Sequence, residues 1–210
     1  MSRSNALLPV LMVFSLTVSA MQIDADPRTI VSFMDKGLSP ELDILSVATD
    51  ISPNNHLVFQ VKTRGERARG EAADHLLLRI LHEKVYVLLV PINKGDGDKV
   101  LMYETVLQPD NTLLPDALKA PQESSLPAGL NAKRIINGAE FILPVDWIDF
   151  GKEFGFDAYT VSAQVQGDTL EISRIHDQAG KGRGGSSMFS AITLLNKLCT
   201  PQRLRSRRDQ

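Results

Sequence analysis

Cysteine is nearly absent from this chain: Cys199 stands alone among 210 residues. A single thiol excludes an intrachain disulfide, and its place near the C-terminus excludes a lipid-anchoring cysteine behind a leader. Tryptophan is as scarce, with Trp147 alone, and the four histidines show no metal-ligand spacing. His75 and His82 are seven apart, which puts them on opposite faces of a straight strand. Together with His56 and His176 they are expected at strand edges or on the surface. No P-loop, dinucleotide fingerprint or nucleophile elbow occurs, so the motifs of nucleotide binding and acyl transfer are missing. Asn93-Lys-Gly-Asp-Gly-Asp alternates oxygen ligands like a calcium loop but lacks the downstream Glu, and reads as a hairpin turn. Neither a metal nor a cofactor is expected.

Beyond the first twenty residues no apolar run approaches the ~20 residues that cross a bilayer as a helix. Within them, Arg3 gives a short positive region and Ala6 to Val18 an apolar one. Val18-Ser19-Ala20 then supplies compact residues at the positions a signal peptidase reads. The chain therefore reads as exported to the periplasm, the cell surface or the exterior, with residues 1–20 removed and a mature start near Met21.

The net charge of −2 conceals an asymmetry. Residues 21–180 hold 15 Lys and Arg against 24 Asp and Glu, whereas residues 181–210 hold 7 against Asp209 alone. So acidic a body would repel phosphates, which excludes nucleic acid as its partner. Two regions follow the leader: a β domain over 21–180 and a tail over 181–210.

The body is patterned for strands. Leu42-Asp-Ile-Leu-Ser-Val-Ala-Thr places Leu42, Ile44, Ser46 and Ala48 on one face, with Leu45 and Val47 breaking the alternation. Ser52-Pro-Asn-Asn turns the chain into His56 to Thr63. The segments 75–82 and 84–92 are apolar enough to be central, and 99–106, 139–143, 157–164 and 169–175 complete the set. Gly167-Asp168 marks the last hairpin. Between 108 and 129, Pro109, Pro115, Pro121 and Pro127 interrupt a stretch with little to fill a core, which predicts an irregular excursion over the surface. About eight closely spaced strands without a long helix predict a mainly β protein, a single antiparallel β-sandwich.

The paired segments Leu42 to Asp50 and Asn54 to Lys62 resemble the opening strands of exported DOMON-like sandwiches. Ile142-Leu-Pro-Val-Asp-Trp, followed by Phe154-Gly-Phe-Asp-Ala-Tyr-Thr-Val, is similar to the late strands of those domains and of family-nine carbohydrate-binding modules. The resemblance spans roughly 24–176 and implies a non-catalytic ligand module, which holds sugar in some relatives and haem in others.

The densest functional constellation runs from Asp146 to Tyr159, with the only Trp, three Phe, one Tyr and four carboxylates in fourteen residues. Aromatic faces stack on the C–H face of a sugar while carboxylates accept its hydroxyl protons. Trp147, Asp157 and Tyr159 are the candidate ligand-binding residues. Two other readings of the segment stay open. Trp147, Phe150 and Phe154 could plug one end of the sandwich. Asp146, Asp149, Glu153 and Asp157 could instead furnish the two carboxyl groups of a secreted hydrolase. Haem ligation, for an electron-transfer module, would require a histidine or a methionine such as Met102 facing a cavity.

Gly180-Lys-Gly-Arg-Gly-Gly reads as a linker, and Met188, Ile192, Leu195 and Leu198 recur at the spacing of a short amphipathic helix. Arg203, Arg205, Arg207 and Arg208 then form a basic terminus suited to docking on an anionic surface or an acidic partner. The function expected from these features is an exported, non-enzymatic recognition or envelope-structural module, its partner a glycan or an envelope protein.

Overall fold

The computed structural model describes residues 28–66, 74–93, 100–106, 117–119, 128–147, 152–181 and 189–190. The expected leader, the 94–99 turn, most of the proline-interrupted stretch, and Asp149, Phe150 and Cys199 lie outside them, as do the four terminal arginines.

Among the described residues twelve strands follow one another: β1 (Thr29–Val31), β2 (Ile44–Ile51), β3 (His56–Thr63), β4 (Asp74–Leu81), β5 (Lys84–Pro91), β6 (Leu101–Val106), β7 (Ala117–Lys119), β8 (Asn131–Ile135), β9 (Gly138–Pro144), β10 (Glu153–Gln166), β11 (Thr169–Gln178) and β12 (Phe189–Ser190). A 3-10 turn, Val145–Trp147, follows β9. Every pairing is antiparallel. No helix among the described residues is long and apolar enough to cross a membrane.

One sheet runs β1-β2-β3-β9-β8. The other runs β4-β5-β6-β7-β11-β10 and returns to β4, so it closes into a six-strand ring, with β12 added along β10. Two cores result. Between the open sheet and the ring lie Leu57, Phe59, Val61 and Phe141 against Leu76, Leu78, Ile80, Leu88, Phe154 and Phe156. Inside the ring lie Leu77, Leu81, Val85, Val87, Leu89, Tyr103, Leu118, Tyr159, Val161 and Leu170. Alternate residues of β4 and β5 serve opposite cores, as the two-residue period of a strand dictates. Hence β4 is buried at all eight positions, and after Asp74 and His75 its sequence from Leu76 to Leu81 reads as an apolar run broken only by Arg79.

Bulges shape both sheets. In β2 the register passes from Ile44↔Thr63 to Ser46↔Lys62, which leaves Leu45 as an extra residue. The bulge switches phase: Ile44, Val47 and Thr49 are buried, and Ser46 and Ala48 do not share the face of Ile44 expected for them. The broken alternation of the sequence is this bulge. Along β11 the register against β10 slips twice, leaving Ser173 and His176 unmatched. Bulges strengthen local coiling, which is what a small sheet needs in order to close on itself. Gly167, at a φ of 61°, takes the left-handed turn position of the β10–β11 hairpin.

The eight expected strands are all present, and four were not foreseen. The most consequential is β7, in the stretch assigned to a surface excursion. It pairs with β6 and β11, and its Leu118 is buried in the ring interior. One apolar residue closing a hydrogen-bonded gap suffices for that role. Phe189–Ser190 fall within the segment read as a helix but pair with Phe154 and Glu153 as strand; the rest of that segment is outside the described residues. Lys181, the first residue of the expected tail, contacts the β domain. Lys181 bridges Asp43 and Asp177, Arg64 donates from Nε to Asp43 at 2.8 Å, and the amide of Asp35 reaches both Asp43 oxygens. Burial by itself would raise the Asp43 pKa, but the hydrogen bonds from Lys181, Arg64 and Asp35 outweigh it and hold the carboxyl below its ordinary value.

Candidate functional site

Two of the three sequence-chosen ligand residues sit inside the ring. Asp157 and Tyr159 are two apart on β10 and therefore share its inward face. Opposite Asp157 in the register stands Arg79 of β4. Arg79 is 1% and Asp157 2% exposed. The guanidinium is bidentate on the carboxylate: Nε donates to Oδ1 at 2.8 Å and the second arm to Oδ2. Tyr159 donates to Oδ2 at 2.8 Å, accepts from Gln178 at 3.1 Å, and lies 5.3 Å beneath the guanidinium carbon. Burial and the adjacent Asp157 charge push the Tyr159 pKa far up, so its proton stays in place as a donor. Burial opposes the charge on Arg79, yet the Asp157 hydrogen bond and charge outweigh that and raise its pKa. Arg79 escaped notice in the sequence. The signal was there, since a lone charge within an apolar central strand requires a buried partner.

Trp147 lies elsewhere. The turn after β9 carries it to the end of the inter-sheet gap, half-buried, where it meets Tyr86 of β5 edge to face at a centroid distance of 4.6 Å. Tyr86 is paired with Glu104 of β6. Glu104 Oε1 accepts from Lys84 at 2.9 Å, while Oε2 is buried without a hydrogen-bond partner among the described residues. Glu104 raises the Lys84 pKa, and burial raises that of Tyr86. Asp146 and Glu153 are exposed close by along the chain, and Lys152 pairs with Glu83. The corner therefore has two aromatic rings, an acceptor without a donor among the described residues and a surplus of carboxylates. Trp147 packs on the core and, being half-buried, still presents surface. Phe154 belongs wholly to the core, stacked at 6.1 Å on Phe59.

The histidines do not sit as expected. His75 and His82 are buried rather than superficial: His75 lies in β4, which is covered on both faces, and His82 in the turn that follows it. His82 Nδ1 lies 3.1 Å from the Glu153 carbonyl. His176, the bulged residue of β11, brings Nε2 to 2.8 Å from Ser162 Oγ and 3.2 Å from Asp74 Oδ1, and Ser162 donates to that same oxygen at 2.7 Å. A relay triad needs serine and carboxylate on different ring nitrogens. Here both address Nε2, so the three groups form a closed hydrogen-bonded triangle. Met102 packs in the inter-sheet core.

Among the described residues no cluster of three or more His, Cys, Asp or Glu has metal-binding geometry. At the far end of the gap, a cavity of about 40 Å³ is lined by Leu76, Val90, Ala139, Glu66 and Arg134. That is room for a water, not for the ~300 Å³ or more of a small-molecule site. No protein-family model, curated protein or solved structure matches the chain.

Proposed function

We propose that this chain is an exported, non-catalytic recognition module that holds carbohydrate at the Trp147 corner. The observation that carries the proposal is the Trp147–Tyr86 ring pair set beside Glu104 Oε2, a buried acceptor with no donor among the described residues. Aromatic rings supply the apolar wall, and a sugar hydroxyl supplies the missing donor. Support for a non-catalytic role comes from Asp157, whose two oxygens are taken by Arg79 and Tyr159. A carboxylate so engaged serves the scaffold and is closed to acid–base work on a substrate. Export rests on Arg3, Ala6 to Val18 and Val18-Ser19-Ala20.

The test is glycan-array binding of the mature chain beside Trp147→Ala and Glu104→Gln, with thermal melts of each. Binding by the parent that both variants lose while melting within a few degrees of it is the expected outcome. A parent that binds no glycan, with Trp147→Ala strongly destabilised, would make the corner a plug.

A further inference from the structure

We propose that the end of the open sheet opposite the Trp147 corner is a membrane-contact surface, which seats the protein on a bilayer bearing anionic headgroups. Phe33, Met34 and Ile136 enter the headgroup region while Lys36, Lys62 and Lys133 meet lipid phosphates. The inference does not depend on what the Trp147 corner binds.

The register of the sheet gathers these residues. β1 ends, β2 begins, β3 ends, β9 begins and β8 ends on one side. A transverse row there reads Val31, Ser46, Lys62, Gly138 and Ile135 from edge to edge. Lys62 is exposed between the buried Val61 and Thr63, so its row faces away from the core. Phe33 and Met34 follow β1 at one corner, and Ile136 lies in the β8–β9 turn at the other. Four strand spacings set the corners about 19 Å apart.

Two features of this end serve no purpose in the fold. The first is apolar surface. Seven large apolar side chains stand well exposed among the described residues, and four are here: Val31 at 49%, Phe33 at 70%, Met34 at 54% and Ile136 at 82%. The other three lie singly on β6, β10 and β11. Ile136 occupies a turn position where polar residues are the rule, since Asn137 and Gly138 already supply the positive φ values of the turn, 56° and 148°. Clustered exposed apolar residues mark an interaction site. The second feature is charge. Lys36, Lys62 and Lys133 are exposed, and their ammonium groups make no ion pair among the described residues. The nearby carboxylates are engaged instead. Asp43 is held by Arg64 and Lys181, Glu140 by Gln60, Glu66 by the Asn137 amide and Asp35 by the Gly37 amide.

This arrangement selects the partner. A second copy docked on the same face would set lysines against lysines at the centre of the contact, a like-charge penalty. An anionic bilayer satisfies both features at once, with apolar tips in the interface and ammonium groups at the phosphates. The acidic excess elsewhere in the body does not cancel the attraction, because charges beyond the Debye length of ~8 Å are screened. β9 runs from Gly138 at this end to Pro144 just before the Trp147 turn, a span of about 20 Å. With the lysine end seated, the Trp147 corner therefore points away from the bilayer.

The test is cosedimentation of the mature chain with mixed phosphatidylcholine–phosphatidylglycerol vesicles, beside vesicles of phosphatidylcholine alone. The parent should bind the mixed vesicles and bind phosphatidylcholine alone far more weakly. K62Q/K133Q should lose about 25-fold on the mixed vesicles, roughly fivefold per lysine near an anionic surface. F33S/M34S/I136S should lose about tenfold through its missing apolar contact. Both variants should melt with the parent, because every substituted side chain is exposed. A second readout removes nothing from the surface. F33W adds an indole at the proposed contact, whereas Trp147, the only native tryptophan, sits at the opposite end. Lipids brominated on their acyl chains should quench the added emission of F33W and leave Trp147 of the parent unquenched. A parent that stays in the supernatant overturns the proposal. Undiminished binding by both variants, with no quenching of F33W, overturns it by giving membrane contact to the terminal arginines. A parent that sediments as a dimer, made monomeric by F33S/M34S/I136S, overturns it by giving this end to a second copy.

Discussion

The two cores of this protein are built from the same strands yet follow different rules. Between the sheets, the side chains of β3 and β9 meet those of β4, β5 and β10 as an apolar layer centred on Phe59, which stands 5.1 Å edge-on to Phe156. Inside the ring, the opposite faces of β4 and β10 bring a buried ion pair, Arg79–Asp157, into an otherwise aliphatic and aromatic interior. An apolar layer tolerates truncation in proportion to the volume removed. A buried ion pair is different: losing one partner strands the other's charge, whereas losing both can be neutral. The ring interior is thus a place where one substitution should be worse than two.

The sharpest way to break this comparison is Asp157→Ala, which leaves Arg79 charged and unpaired. It should cost about 3–5 kcal/mol in urea unfolding. A cost near that of a surface substitution would erase the distinction between the cores.

Next is Leu118→Ala in β7, the strand that closes the ring. A loss of about 2–5 kcal/mol is expected from the cavity. Hydrogen exchange should show protection falling in β6 and β11 before β2 and β3. Uniform loss across both sheets would mean that ring and open sheet form one unit.

Tyr159→Phe removes the hydroxyl donated to Asp157 while keeping the ring under Arg79, and should cost about 1.5–3 kcal/mol, the range for a hydrogen bond to a charged group. A neutral result would assign Tyr159 to packing alone.

The smallest effect concerns the clamp outside both cores. The folded-state pKa of Asp43 is depressed, so its contribution is fully present above the unfolded carboxylate value of about 3.9 and is lost as pH falls through the lower folded value. Lys181 behaves oppositely. Burial disfavours its charge, but Asp43 and Asp177 outweigh this and raise its pKa, so its contribution is complete below about 10.4 and fades as pH rises through the folded value. Asp43→Asn should flatten the acid limb of a stability–pH curve and leave mid-range stability less changed than Asp157→Ala does. An unchanged acid limb would contradict this.

These features differ in how far the sequence announced them. β3 is legible because Leu57, Phe59, Val61 and Thr63 alternate with more exposed neighbours over the whole strand. β4 and β5 are legible as central because apolar residues fill both of their faces. Closure of the ring is not, since it depends on three residues in a proline-interrupted stretch and on two bulges that only the pairing reveals. β8, Asn131-Ala-Lys-Arg-Ile, is an edge strand whose polar composition hides it among loops. For the site, proximity in the sequence suggested that Trp147, Asp157 and Tyr159 act together. A strand and a turn separate them: Trp147 joins the inter-sheet core and the other two the ring. The ring partner of Trp147, Tyr86, and the Glu104 that stands opposite Tyr86 come from strands more than forty residues away in sequence, where no local pattern points to them.

The most direct test of the two-core distinction is a double-mutant cycle on Arg79→Met and Asp157→Leu, set beside one on Phe59→Leu and Phe156→Leu between the sheets. In the ring, the double variant should be markedly more stable than the sum of the single losses requires, with a coupling of about 2–3 kcal/mol, the upper end for residues in one network. Between the sheets, coupling should stay below about 1 kcal/mol, close to the extra stabilisation of an aromatic pair. Additive losses in the ring would contradict the role assigned to Arg79 and Asp157 as a mutually dependent pair.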